Sequence, residues 1–335
     1  MINNILIVGP SWVGDMVMAQ CLFKLLKRRN PDVVIDVLAP AWSFSLLRVM
    51  PEIRNGIIMP MAHGELRLKE RYKIGKQLRA NKYDQAIVLP NSFKSALIPF
   101  FAKIPIRTGW SREGRLLILN DVRRLDKKRY PLMIEQYLAL GLPENEQLQK
   151  PYPLPELKVT PEFQKQTFDK FKIDLSKPTL ALCPGAEFGP AKRWPEDHFA
   201  EVASKKLADG WNVLLLGSQK DRVVTDQIDK ITDNRCINLS GTTNLDEAIA
   251  LLSGSKMVIS NDSGLMHIAA ALDRKLIALY GPTSDLFTPP LNKDAKVIKL
   301  NLDCQPCFQR ECPLVHHKCM KELAPALVLS QLGED

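Results

Sequence analysis

Short aliphatic runs alternate with helix-patterned segments along almost the whole chain, and that alternation restricts the fold to parallel sheets flanked by helices. Strand-like runs occupy 5–8, 33–38 and 85–89 in the first half and 179–182, 213–216, 257–260 and 276–280 in the second. Helical periodicity fills 16–27, 64–81, 197–208, 245–252 and 266–271. The segment Pro151-Tyr152-Pro153-Leu154-Pro155 continues neither a helix nor a central strand, so it reads as a linker. At 335 residues the chain suits two domains rather than one core. The expected class is α/β, with two Rossmann-like domains, 1–155 and 156–320, whose parallel sheets face a central cleft.

Charge is unevenly spread. Residues 1–160 carry 25 Lys and Arg against 14 Asp and Glu, a net +11, whereas the remainder carries 21 against 23, a net −2. The first half is either a solvated basic surface or meets something anionic: nucleic acid, a membrane surface or a phosphorylated substrate. No run approaches the ~20 apolar residues of a membrane-spanning helix, and the N-terminus leads directly into the first strand. A cytoplasmic location is expected.

Three loops carry candidate chemistry. The first, Gly9-Pro10-Ser11-Trp12-Val13-Gly14-Asp15, joins the first strand to its helix. It begins like a phosphate-binding G-x-x-x-x-G-K-[ST] loop, but Asp15 stands where the lysine belongs, and that carboxylate would repel a phosphate. Asp15 either caps the helix or takes a proton from an attacking hydroxyl. The second loop runs from Cys183 to Pro195 and sets Lys192 and Arg193 side by side ahead of a helix. Such a pair is either an ordinary basic surface or a diphosphate grip. The third, Asn261-Asp262-Ser263-Gly264-Leu265-Met266-His267, follows a strand and opens a helix. Asp262 or Ser263 is expected to cap it, its free amides suit an anion, and His267 lies one turn on, either structural or facing the ligand.

The opening G-x-x-x-x-G-D, the loop P-G-A-E-F-G-P-A-K-R-W-P and the turn N-D-S-G-L-M-H together resemble the ADP-heptose:lipopolysaccharide heptosyltransferases, over nearly the whole chain. The likeness is strongest to the members that add the second heptose. It implies a GT-B fold, an acceptor-binding first domain and a nucleotide-sugar-binding second domain, with residues 321–335 returning as a last helix onto the first domain. It further implies inverting transfer from ADP-heptose to the first heptose of the anionic inner core, with no cofactor required for catalysis. By position, Asp15 matches the general base and Lys192 the residue on the donor phosphates. Asp262, Ser263, Gly264 and His267 match the nucleotide turn, while Arg193, Glu187 and Asp221 fall on the donor side. Gly14 and the basic residues Arg112, Arg115, Arg123 and Arg124 are expected at the acceptor, or at anionic lipid on the cytoplasmic face of the inner membrane.

Cys304, Cys307, Cys312 and Cys319, with His316 and His317 among them, have spacings that a structural tetrahedral zinc site uses; unligated thiols are the other reading. Rival functions remain. A heptosyltransferase of the same kind could act on another acceptor: the heptose-free core, a later heptose or a protein. A nucleic-acid-binding protein would explain the charge but not the second-half loops, and no nucleic-acid partner is expected. An NAD-type oxidoreductase would need the G-x-G-x-x-G that the chain lacks.

Overall fold

The structure is a computed structural model and describes residues 2–61, 64–144 and 146–332. Its strands form two six-stranded sheets, one in each of two units, Met1–Pro155 and Glu156–Asp335. Unit 1 contains β1 (Asn4–Val8), β2 (Val34–Ala39), β3 (Asn55–Ile58), β4 (Gln85–Val88), β5 (Ile106–Trp110) and β6 (Asp121–Arg123). Their order is β3-β2-β1-β4-β5-β6, and every pairing is parallel. Unit 2 contains β7 (Thr179–Cys183), β8 (Asn212–Leu215), β9 (Ile237–Asn238), β10 (Met257–Asn261), β11 (Lys275–Leu279) and β12 (Lys296–Ile298). Their order is β12-β11-β10-β7-β8-β9, again all parallel. Counted from its own first strand, unit 2 repeats the Rossmann order of unit 1.

The central strands are buried on both faces, which is why they read as unbroken aliphatic runs rather than alternating ones. Leu6, Val8, Val88 and Ile98 anchor the core of unit 1. Leu180, Leu182, Trp194, Phe199, Val213 and Ile259 anchor that of unit 2. In unit 1 the helix Val13–Arg29 packs against Met133–Leu140, and Leu68–Leu78 packs against Leu97–Phe101. In unit 2 Glu196–Ala208 packs against Arg222–Ile231. No helix among the described residues is long and apolar enough to cross a membrane.

Two expectations need correction. The charged helix over 64–81 is shorter, Leu68–Leu78, followed by a turn of 3₁₀ helix at Arg79–Asn81. The last helix is two short ones, Lys318–Lys321 and Pro325–Ser330, because Pro325 starts a new helix instead of continuing the old one. Pro325–Ser330 packs on Glu196–Ala208, and Val328 and Leu332 join the core of unit 2. Residues 333–335 of that expected segment lie outside the described residues.

In each sheet the strand order reverses between two neighbours, β1 and β4 in unit 1 and β7 and β10 in unit 2. The loops leaving the C-terminal ends of such neighbours diverge and leave a crevice, the usual ligand position in open α/β sheets.

Candidate functional site

The crevice of unit 2 lies between the loop after β7 and the turn after β10, so residues 70 positions apart meet there. Lys192 Nζ donates to Asp262 Oδ2 at 2.6 Å and to the Asp262 carbonyl oxygen at 3.3 Å. Side-chain exposure is 12% for Lys192 and 6% for Asp262, so the ion pair is largely out of water. The hydroxyl of Thr283 donates to the same Asp262 oxygen at 2.5 Å. An ammonium has three N–H donors, and two of those on Lys192 are accounted for. Asn261 ties the two loops together: its Nδ2 donates to the Pro184 carbonyl at 2.7 Å, and its Oδ1 accepts from the Trp194 amide at 3.2 Å.

The helix Gly264–Ala271 begins at this point. Neither expected residue caps it. Ser263 holds the N-cap position without a side-chain cap bond, and its hydroxyl lies 3.2 Å from that of Ser260. The carboxylate of Asp262 is taken by Lys192 and Thr283. The helix therefore presents its first amides, and the positive end of its dipole, without a capping side chain. His267 is buried in this helix, and burial, aided by the Lys192 charge against the opposing pull of Asp262, pushes its pKa down to about 4. It is a neutral imidazole at neutral pH.

Arg193 contributes a buried Nε that has no hydrogen-bond partner. Phe188 carries two cations on its ring, with Lys192 Nζ at 5.0 Å and Arg310 Cζ at 5.4 Å from the centroid. Two expected donor-side acids do other work. Glu187 is exposed and pairs with Lys220 at 2.6 Å. Asp221 is buried and folds its own turn, its Oδ2 accepting from the Ser218 amide at 2.9 Å and the Ser218 hydroxyl at 2.7 Å.

In unit 1 the helix after β1 starts at Val13, with Trp12 at the N-cap position. Gly14 and Asp15 thus occupy its first turn, and Asp15 is past the cap position. Asp15 is half-buried, and its charge helps to hold the phenol of buried Tyr137 well above its usual pKa, after burial itself. Arg112 and Arg124 are exposed. Arg115 and Arg123 are not available to an acceptor. The Arg115 guanidinium is buried and donates to the carbonyls of Pro90 (2.6 Å) and Trp110 (2.6 and 3.2 Å). Burial pulls its pKa down to about 10. Arg123 pairs with Asp121 at 2.7 Å and donates to the carbonyls of Ala139 and Leu142 at 2.7 and 2.5 Å. Both arginines hold loops together.

Among the described residues no three His, Cys, Asp or Glu side chains are disposed to hold a metal ion, so the expected zinc position has no preformed cage. The four clustered cysteines are free thiols. Cys312 Sγ accepts from the His317 amide at 3.4 Å, and the thiol of Cys319 is pushed up to about 11 by burial and by its three neighbours. Their loop is joined to the crevice mostly through the main chain. The Ala191 amide donates to the Arg310 carbonyl (3.1 Å), the Phe308 amide to that of Pro282 (2.7 Å), and Gln305 Nε2 to that of Gly281 (2.8 Å). A Cβ at Gly189 would collide with the Arg310 carbonyl, so only glycine admits this crossing.

The sequence places Thr283, in the segment Tyr280-Gly281-Pro282-Thr283 that ends a strand, on the same cleft as Asp262, and the hydrogen bond between them agrees. Sequence reasoning missed Phe188, Arg310 and Tyr137 as neighbours of the candidate residues.

Residues 71–318 match the profile of glycosyltransferase family 9 (heptosyltransferase). Over 339 residues the chain is 46% identical to lipopolysaccharide heptosyltransferase 2 of Escherichia coli K12, spanning 98% of this chain and 97% of that protein. It is also 46% identical, over 345 residues, to lipooligosaccharide heptosyltransferase 2 of Haemophilus influenzae, spanning 99% of each. The solved structure of E. coli ADP-heptose LPS heptosyltransferase II superposes with a TM-score of 0.89 at 44% identity, over 98% of this chain and 97% of the other.

Proposed function

Because this chain belongs to glycosyltransferase family 9, the heptosyltransferases, we propose that it transfers a heptose from ADP-heptose to the first heptose of the lipopolysaccharide inner core. The observation that carries the donor half of this reading is the meeting of Lys192 and an uncapped helix start at the strand-order reversal of unit 2, with the buried, unpartnered Nε of Arg193 next to Lys192 in sequence. A buried guanidinium N–H without a partner costs about 1–3 kcal/mol, and a phosphate oxygen removes that cost. The second-heptose assignment rests on the two 46%-identical relatives, each of which is a heptosyltransferase 2.

In this proposal unit 2 binds the donor and unit 1 the acceptor. The acceptor hydroxyl attacks the anomeric carbon of the heptose from the face opposite the ADP, so the configuration inverts. The bond from that carbon to the diphosphate oxygen breaks, and the electron pair leaves with ADP. Negative charge grows on the departing diphosphate, where the third N–H of Lys192, the Arg193 guanidinium and the amides at Gly264 oppose it. Asp262 and Thr283 hold Lys192 in place. Asp15 takes the hydroxyl proton as the new bond forms. No metal takes part in this scheme. Arg112 and Arg124, being exposed, remain for the anionic acceptor, whereas Arg115 and Arg123 do not. The reaction is placed at the cytoplasmic face of the inner membrane.

The test is transfer from ADP-heptose to core precursors bearing no heptose or one heptose, followed by ADP release and product mass. Product from the one-heptose precursor alone is expected. Transfer to the heptose-free precursor would overturn the second-heptose assignment. Failure with both, while ADP-heptose still binds, would move the acceptor elsewhere and keep the donor site.

A further inference from the structure

The turn between β5 and β6 presents the most exposed large apolar side chain among the described residues, Leu117 at 91%, next to Leu116 at 63%. This turn is firmly built. Between its polar start and its leucines, Arg115 plunges inward and is fastened to the carbonyls of Pro90 and Trp110. Its own carbonyl receives the amides of Ile118 and Leu119 at 3.1 and 2.9 Å, and both of those side chains are buried. Gly114, with φ +68, supplies the left-handed step that turns the chain outward. A rigid turn that aims two adjacent leucines at water lowers neither the folding free energy nor the exposure of the core.

Its surroundings are cationic and partly apolar. The backbone amide of exposed Phe93 donates to the carboxylate of Glu113 at 2.8 Å, which sets that residue beside the turn. The Ser111 amide donates to the Arg123 carbonyl at 2.7 Å, so the segments leaving β5 and β6 start side by side. Those segments expose Arg112, Arg124, Lys127, Lys128 and Arg129. The exposed acids among them are Glu113 and Asp126, and both are engaged by backbone amides.

We propose that this turn is an interfacial wedge for an anionic phospholipid bilayer. Leu116 and Leu117 enter the boundary between headgroups and acyl chains, and the cations around them meet headgroup phosphates. The proposal extends the reading above, whose acceptor is borne on a lipid, but it is read without donor or acceptor. Each partly inserted leucine contributes roughly tenfold to partitioning, and each cation about fivefold. The cationic part weakens as salt rises, and the apolar part does not.

The experiment is co-sedimentation of the full chain with vesicles of phosphatidylglycerol and phosphatidylcholine, or of phosphatidylcholine alone, with no lipopolysaccharide present. The wild type is expected to bind the anionic vesicles. L116S/L117S is expected to bind them at least about 30-fold more weakly, and L116F/L117F to keep binding. All three are expected to melt alike and to transfer heptose to a short water-soluble acceptor at equal rates. Absence of wild-type binding, or equal binding by the serine variant, overturns the proposal. So does a serine variant that keeps vesicle binding and loses transfer, because the turn would then belong to acceptor recognition. If the chain transfers no heptose at all, the vesicle comparison still decides the matter.

Discussion

Replacing Lys192 by Ala perturbs a buried ion pair and a phosphate contact at once, and the two effects separate by design. With the ammonium gone, the Asp262 carboxylate stays 6% exposed with the Thr283 hydroxyl at 2.5 Å. Breaking a buried pair from one side costs about 3–5 kcal/mol. The retained Thr283 bond places this case near the lower end, about 3 kcal/mol. In a unit of this size each kcal/mol lowers Tm by about 2–4 °C, so K192A is expected to melt roughly 6–12 °C below wild type. The double variant K192M/D262L removes the orphaned charge and fills its space with apolar groups, and is expected to regain most of that loss. Transfer behaves differently. Loss of the cation on the departing diphosphate is expected to lower kcat/KM about 10²–10³-fold in both variants. The assay pairs thermal melts by circular dichroism with ADP release at a temperature where every variant is folded. K192A melting within 1 °C of wild type would refute the ion-pair argument. Recovery of transfer in the double variant would reduce Lys192 to a structural residue.

Three further outcomes are expected. Asp15→Asn should lower turnover about 10²–10⁴-fold with ADP-heptose affinity, measured calorimetrically, nearly kept; undiminished turnover would remove Asp15 as the base. Arg115→Ala should destabilise unit 1 by about 3 kcal/mol or more, since charged hydrogen bonds to several carbonyls are lost, whereas Arg112→Ala should leave the unfolding free energy, measured by denaturant titration, within about 0.5 kcal/mol of wild type. His267 has a folded-state pKa of about 4 against 6.5 for the free group, so the unfolded chain takes up its proton first as pH falls. Its contribution to stability is therefore present above pH 6.5 and declines between about 6.5 and 4; denaturant midpoints measured across that range should fall less steeply in His267→Leu than in wild type, and parallel curves would contradict the argument.

The sequence made visible whatever is written locally. Runs such as Leu180 to Leu182 announced central strands because a parallel strand buried on both faces has no polar side to break its pattern. Strand β6, Asp121–Arg123, was illegible for the opposite reason: its charged residues satisfy each other and nearby carbonyls, which no local pattern records. The same blindness put Arg115 and Arg123 in an acceptor site. In a basic run, an arginine tied to carbonyls looks like one that faces water. Lys192 and Asp262 were each prominent, yet their pairing depends on β7 lying beside β10, and alternation of elements does not state strand order. Thr283 became part of the site for the same topological reason.

The joint between the cysteine-bearing loop and the donor crevice is made mostly of amides and carbonyls, at Ala191 with Arg310 and at Phe308 with Pro282. Such bonds are indifferent to side-chain identity. Exposed positions of this loop, Gln309, Glu311 and Leu314 among them, are thus free to drift without loosening the wall they support. The constraint falls instead on Gly189, where a Cβ would strike the Arg310 carbonyl. A lineage of such chains would diverge along the loop and stay fixed at the one position where it crosses the crevice.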